Sequence, residues 1–242
     1  MCSRYDLDIS TPAKVAGRIA KERWLQQLAE DRWTKYASHD VRPETMRPVV
    51  AGPAVPKLGV MRWGWRLTWM RGPLINPRWE TVPTKKILKR AFAERRCVVP
   101  ATGYFEWQRD AKFMFRPGDG GFIRIAGLWQ EVDIPPAQVV GKFPHPDVDH
   151  AGIKATIERR FLVLTRPGVL YGRVRDRTPL ILSPEAAELW LDPKAQEAEL
   201  FDAAGALNDC QLVMRRVTGD TAAGKVDGPY LVEPLDYSWP WV

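Results

Sequence analysis

A cysteine stands at position 2, directly behind Met1, in the opening run MCSRYDLDIS. A side chain this small permits removal of Met1, and the chain would then begin with an α-amine and a thiol on one residue. The amine titrates at about pH 8 and a free thiol at about 8.5, so each has a usable reactive fraction at neutral pH. Such a pair meets an aldehyde by forming a Schiff base through nitrogen, after which the thiolate closes a thiazolidine ring. No cofactor is required. The competing reading makes Cys2 an unremarkable small residue, and the motif alone does not choose between them.

Other polar residues lie in apolar strand-and-turn segments. In LINPRWETV, Asn76, Arg78 and Glu80 alternate, so extended chain would project an amide, a guanidinium and a carboxylate to one side. The same spacing also fits an exposed strand face without a role. Glu106, in VVPATGYFEWQ, sits among aromatic and apolar neighbours. Burial would raise its pKa and suit it to carry protons, whereas pairing with an arginine would leave it structural. In YGRVRDRTPLIL, Arg173, Arg175 and Arg177 recur at period two, a positive row matched to phosphates.

Several chemistries are not expected. His145 and His150, in HPDVDH, have the wrong spacing for a helical metal pair, His39 is remote, and no cysteine cluster accompanies them. No metal or cofactor is therefore predicted. The sequence has no P-loop, dinucleotide fingerprint or nucleophile elbow. Cysteines at 2, 97 and 210 make no disulfide framework and point to a reducing, cytoplasmic setting. The chain shows neither a membrane span nor a secretory signal.

The elements that must position these residues are legible in outline. The 242 residues allow one large domain, and 1–242 is read as one. Residues 12–33 have helical spacing, with Pro12 at the first position, and Thr84 is expected to cap a basic helix in PTKKILKRAFAERR that faces solvent or a phosphate backbone. Short strands are predicted in CVVPATGYFEW, KFMFRP, GFIRIAGLWQEV, RFLVLTRP, RTPLILS and CQLVMRRV. Ser183 and Pro184 open a helix, another follows in PKAQEAELFDAA, and 133–158 reads as a long irregular insertion. Scattered strands with clustered helices indicate an α+β fold on antiparallel sheet. Lys and Arg total 36 against 29 Asp and Glu, a net charge of +7, and the chain carries 11 tryptophans, a balance that favours a polyanion with unstacked bases.

In this order the segments resemble the SOS response-associated peptidase (SRAP) family, whose members shield abasic sites in single-stranded DNA through a covalent link to an N-terminal cysteine. The matches are MCSRY at the start, Trp63–Gly64, Asn76 to Val82, Arg95 to Gly103, Glu106–Trp107, Ala126 to Trp129, and Arg177 with Pro179, spanning residues 2 to about 193. The resemblance implies a barrel-like pair of antiparallel sheets flanked by helices; 194–242, beyond the matched motifs, is read as a helix, a strand and a tail packing on the same domain. It makes Cys2 the nucleophile, Asn76 a positioning group and Glu106 the proton carrier. Arg4, Arg78 and Arg177 would hold phosphates, and Trp63 and Trp107 would shape the site or meet bases. The implied partner is single-stranded DNA bearing an abasic site, bound by a monomer in the cytoplasm.

Departures from the family pattern matter as well. Arg175 stands where the family has a histidine, Ser3 replaces its usual Gly, and Thr178 its usual Met. A guanidinium stays protonated and has no acceptor, so Arg175 cannot shuttle a proton at neutral pH. Linkage with slow release is expected. A thiol peptidase and a non-covalent single-strand binder are the alternatives.

Overall fold

Aliphatic, β-branched and aromatic runs broken by glycine and proline give a strand-rich molecule. Its computed structural model describes residues 3–16, 23–52, 56–109, 111–134, 156–168, 176–205, 212–218 and 227–235. The strands are β1 (Tyr5–Leu7), β2 (Ser38–Val41), β3 (Met46–Ala51), β4 (Lys57–Trp63), β5 (Arg96–Ala101), β6 (Gly103–Gln108), β7 (Ala111–Pro117), β8 (Ile123–Ile134), β9 (Thr156–Val163), β10 (Thr165–Pro167), β11 (Arg177–Pro179), β12 (Ile181–Leu182) and β13 (Leu212–Val217). The α-helices are α1 (Pro12–Ala16), α2 (Arg23–Gln26), α3 (Lys86–Glu94), α4 (Pro184–Leu191) and α5 (Glu197–Gly205).

Five of the strands close a barrel. β8 is long enough to pair twice, with β5 through Ile123–Leu128 and with β9 through Gly127–Ile134. β3 joins β5 to β4, and β4 meets β9 to complete the ring. That last pairing is parallel, with Trp63 opposite Phe161, so the barrel departs from the all-antiparallel expectation at one seam. A second sheet has the order β13-β7-β6-β1-β2 and is antiparallel throughout. Only Thr102 separates β5 from β6, so one continuous run of chain serves both sheets.

The core lies between and within them. Tyr5, Trp63, Trp65, Phe161 and Trp190 are each at most 1% exposed. α3 turns Leu88, Ala91 and Phe92 inward at helical spacing. Its first residue is Lys86 and its cap position is Lys85; the Thr84 hydroxyl donates back to the Thr81 carbonyl instead of capping, because Trp79–Thr84 is already a 3-10 turn. Arg96, read as part of a solvent-facing basic helix, is buried in β5. Its Nε donates to Trp190 O at 2.7 Å, its Nη1 to Phe92 O at 2.8 Å, and its Nη2 to Asp192 O at 2.5 Å, so one guanidinium closes the C-terminal ends of α3 and α4.

The single helix expected over 12–33 is interrupted. After α2 the chain tightens into 3-10 turns at Gln27–Ala29 and Asp31–Tyr36, with extended Glu30 (φ −75°, ψ 136°) between them. Burial of Trp24, Leu25, Leu28 and Trp33 sets that path. Ser183 caps α4 as predicted, accepting from Ala186 N at 3.1 Å with Pro184 at the first position. The ends of the presumed 133–158 insertion are strand, Ile134 pairing Thr156; its middle lies outside the described residues.

Candidate functional site

β1 carries Arg4 at its head and pairs with β2 through a bulge. Tyr5 faces Val41 and Leu7 faces Ser38, so both His39 and Asp40 share the space opposite Asp6. Arg4 Nη1 donates to Asp40 Oδ1 at 3.0 Å and Oδ2 at 3.1 Å, and Arg42 Nε donates to Asp40 Oδ2 at 2.6 Å. His39 Nδ1 lies 2.8 Å from Asp6 Oδ1, and the Thr102 hydroxyl donates to the other oxygen of Asp6. That bond to Asp6 raises the His39 pKa, burial works against the rise, and the charges of Asp6, Asp8 and Asp227 add to it.

On the other side of β1 runs β6. Phe105 N donates to Arg4 O at 3.1 Å, which ties the head of β1 to the middle of the β6–β7 hairpin. Glu106 is 1% exposed and follows directly. Trp107 is half-buried, with the Arg4 guanidinium 5.6 Å from its ring centroid and the Lys112 ammonium at 5.8 Å.

A second polar group surrounds Thr165. Arg177 donates through Nη2 to Thr165 O at 2.6 Å and to Glu80 Oε2 at 2.7 Å, through Nη1 to Glu80 Oε1 at 3.1 Å, and through Nε to Thr165 Oγ1 at 3.2 Å. Burial pushes the Glu80 carboxyl up, but hydrogen bonds from Arg177, with the charges of Arg177 and Arg78, bring it below the usual range. Arg78 is exposed and bridges Thr165 by main chain; Asn76, two residues earlier, is buried. The expected alternation therefore stops at Arg78. Glu80 enters the 3-10 turn Trp79–Thr84 and reaches Arg177 from there.

Trp63 is the spacer between the two groups. Its ring centroid stands 5.4 Å from that of Tyr5, next to Arg4, and its Nε1 donates at 3.4 Å to Ile75 O, next to Asn76. At 0% exposure its ring is enclosed between the two groups and closed to solvent. Gly64 then turns the chain with φ +111°, where a Cβ would stand 2.9 Å from Pro73 Cβ. Trp65 and Leu74 exchange two backbone hydrogen bonds of 2.9 Å at the neck of the loop that follows. At its tip Trp69 is 68% exposed and Met70 41%, with Arg71 exposed beside them.

Cys2 and Arg175 lie outside the described residues, as do Arg173, His145 and His150. Arg4 and Trp107 come together at β1–β6, with Glu106 next to Trp107 in β6 but turned to the other face of the strand. Arg78 and Arg177 meet at Thr165, Arg78 lying two residues along the chain from Asn76. Sequence reasoning missed Asp40, Arg42 and Trp69. A tryptophan in a turn-like run flanked by arginines, RLTWMRG, was the available signal for Trp69; Asp40 and Arg42 needed the bulge. No group of His, Cys, Asp and Glu suited to a metal ion occurs among the described residues, and no helix among them is long and apolar enough to cross a membrane.

The family model described as SOS response associated peptidase (SRAP) matches residues 1–222. The abasic site processing protein YedK of Escherichia coli is 29% identical over 184 residues, covering 72% of this chain and 73% of its own length. The abasic site processing protein YoqW of Bacillus subtilis is 25% identical over 170 residues, covering 66% and 68%. A crystal structure of a protein from Bacteroides thetaiotaomicron superposes with a TM-score of 0.66 at 20% identity, over 96% of this chain and 99% of that one, a likeness of fold.

Proposed function

The chain belongs to the SOS response associated peptidase family, and from that premise we propose that it processes abasic sites in single-stranded DNA by linking Cys2 covalently to the opened sugar. The observation that carries this reading is the pair of arginine groups, Arg4 on one side and Arg78 with Arg177 on the other, separated by Trp63 and joined to the strand that Cys2 precedes. Two cationic holds on either side of a buried indole suit a DNA backbone with a gap between bases. The exposed Trp69 offers a stacking face for a neighbouring base.

An abasic deoxyribose opens to an aldehyde. The Cys2 amine adds to that carbon, water leaves, and an imine forms; the Cys2 thiolate then adds to the imine carbon while the nitrogen takes a proton, closing the thiazolidine. Glu106, shielded from solvent, carries protons in these steps, and Asn76 orients the amine or the sugar. Holding amine, thiol and aldehyde together lowers the barrier by up to about 7–11 kcal/mol in favourable intramolecular cases. Arg175 cannot take the family histidine's acid–base part, so release is slow.

The test is a denaturing gel with single-stranded DNA bearing one abasic site. A heat-stable shifted band, absent with Cys2→Ala, is expected. Peptide cleavage without a band supports a thiol peptidase instead, and salt-sensitive binding without a band supports a non-covalent binder.

A further inference from the structure

We propose that Arg42 is a second DNA-phosphate contact beside Arg4, and that Asp40 is the positioning residue that aligns the two guanidiniums as one clamp. The inference rests on the single-strand DNA reading and extends it to residues that no sequence motif singled out. Asp40 has a side chain only 5% exposed, while those of Arg4 and Arg42 are 22% and 39% exposed. The carboxylate therefore lies beneath and the cations above it. Arg42 commits Nε and Nη2 to Asp40, and of the two arginine side chains its own is the more exposed. The three side chains carry one net positive charge, and the fork geometry of each guanidinium matches a phosphate. The bulge opposite Asp6 brings Asp40, on β2, to Arg4 at the head of β1, the strand that follows Cys2, and the Arg4 guanidinium also lies 5.6 Å from the Trp107 ring centroid.

A purely structural ion-pair triad and a phosphate clamp differ in what substitutions do to DNA binding. The probe is an intact single-stranded oligonucleotide without a lesion, titrated across salt with protein carrying Cys2→Ala, so that binding is read apart from linkage. Arg42→Gln is expected to weaken binding about tenfold at low salt, the worth of one charge-assisted contact. It should also make the slope of log K against log salt shallower by about 0.7, one phosphate on a single strand.

Asp40→Asn gives the sharper readout. Removing an acidic group from a bystander position would tighten DNA binding. Removing the group that aligns both cations should weaken it, with the salt slope retained because both charges remain. Asp40→Glu should recover part of the affinity.

An unchanged slope in Arg42→Gln overturns the clamp, and tighter binding by Asp40→Asn overturns the positioning role. Absence of salt-dependent binding by the unsubstituted site also overturns the clamp. The covalent reading is judged separately: a missing Cys2-dependent band, with these salt effects intact, removes the linkage chemistry and leaves the clamp standing.

Discussion

Trp63 and Tyr5 meet with ring centroids 5.4 Å apart at an interplanar angle of 53°, where the barrel and the five-stranded sheet press together. This contact also sets the spacing between Arg4 and Asn76, since each is the chain neighbour of a residue that Trp63 touches. Trp63→Ala should cost about 3–5 kcal/mol in urea unfolding, as for other buried large-to-small aromatic changes. Trp69→Ala should leave unfolding within about 0.5 kcal/mol, because its ring faces solvent, while weakening single-strand binding. Equal destabilisation by the two substitutions would contradict the division between a core indole and a surface one.

His39 makes stability depend on pH with a defined sign. Its folded pKa is raised above an unfolded value of about 6.5. The interaction therefore stabilises fully below that value and is lost as pH rises through the folded pKa. Comparison of His39→Gln with the parent should show the largest gap in unfolding free energy near pH 6, narrowing toward pH 8.5. A gap that widens with pH would reverse the assignment.

Arg96 donates to main-chain carbonyls at the ends of two helices from a side chain in β5. Arg96→Ala leaves those carbonyls inside the protein without their donor and should cost about 2–4 kcal/mol. Hydrogen exchange is the sharper measurement: amides in the last turns of α3 and α4 should lose protection together. Loosening of one helix alone would show that the guanidinium does not couple them.

Cys97 is fully enclosed in β5, and burial pushes its thiol pKa well above the usual value. Alkylation followed by peptide mass spectrometry should find Cys97 unmodified in the folded protein and modified after denaturation. Labelling of native protein at Cys97 would mean that the barrel opens on the timescale of the reagent.

Much of this architecture could be read from local pattern. β7 and β8 stand where alternating apolar runs and turn residues placed them, and Ser183 followed by Pro184 announced α4, because capping and turn chemistry act over a few residues. CVVPATGYFEW, expected as one strand, breaks at Thr102 into β5 and β6 of different sheets. What escaped depends on distant chain. Nothing in RRCVVP distinguishes a surface arginine from Arg96, whose carbonyl partners Trp190 and Asp192 lie more than 90 positions away. Asp40 joins Arg4 only because a register break gives β2 one residue more than β1 over the same span. Trp63 and Trp69 are the same residue type six positions apart; Gly64 sends the chain out of the barrel between them, and a count of aromatics does not report that turn.

A closed ring of strands has consequences for how the molecule behaves in a crowded solution. β3, β4, β5, β8 and β9 each have neighbours on both sides, so none offers a bare ladder on which another chain could template itself. In the other sheet β13 is an outer strand, with Arg215 and Arg216 exposed along it and the Leu235 amide bonded back to the Arg216 carbonyl. Like charges on such a border oppose strand-to-strand pairing with a second copy along that edge.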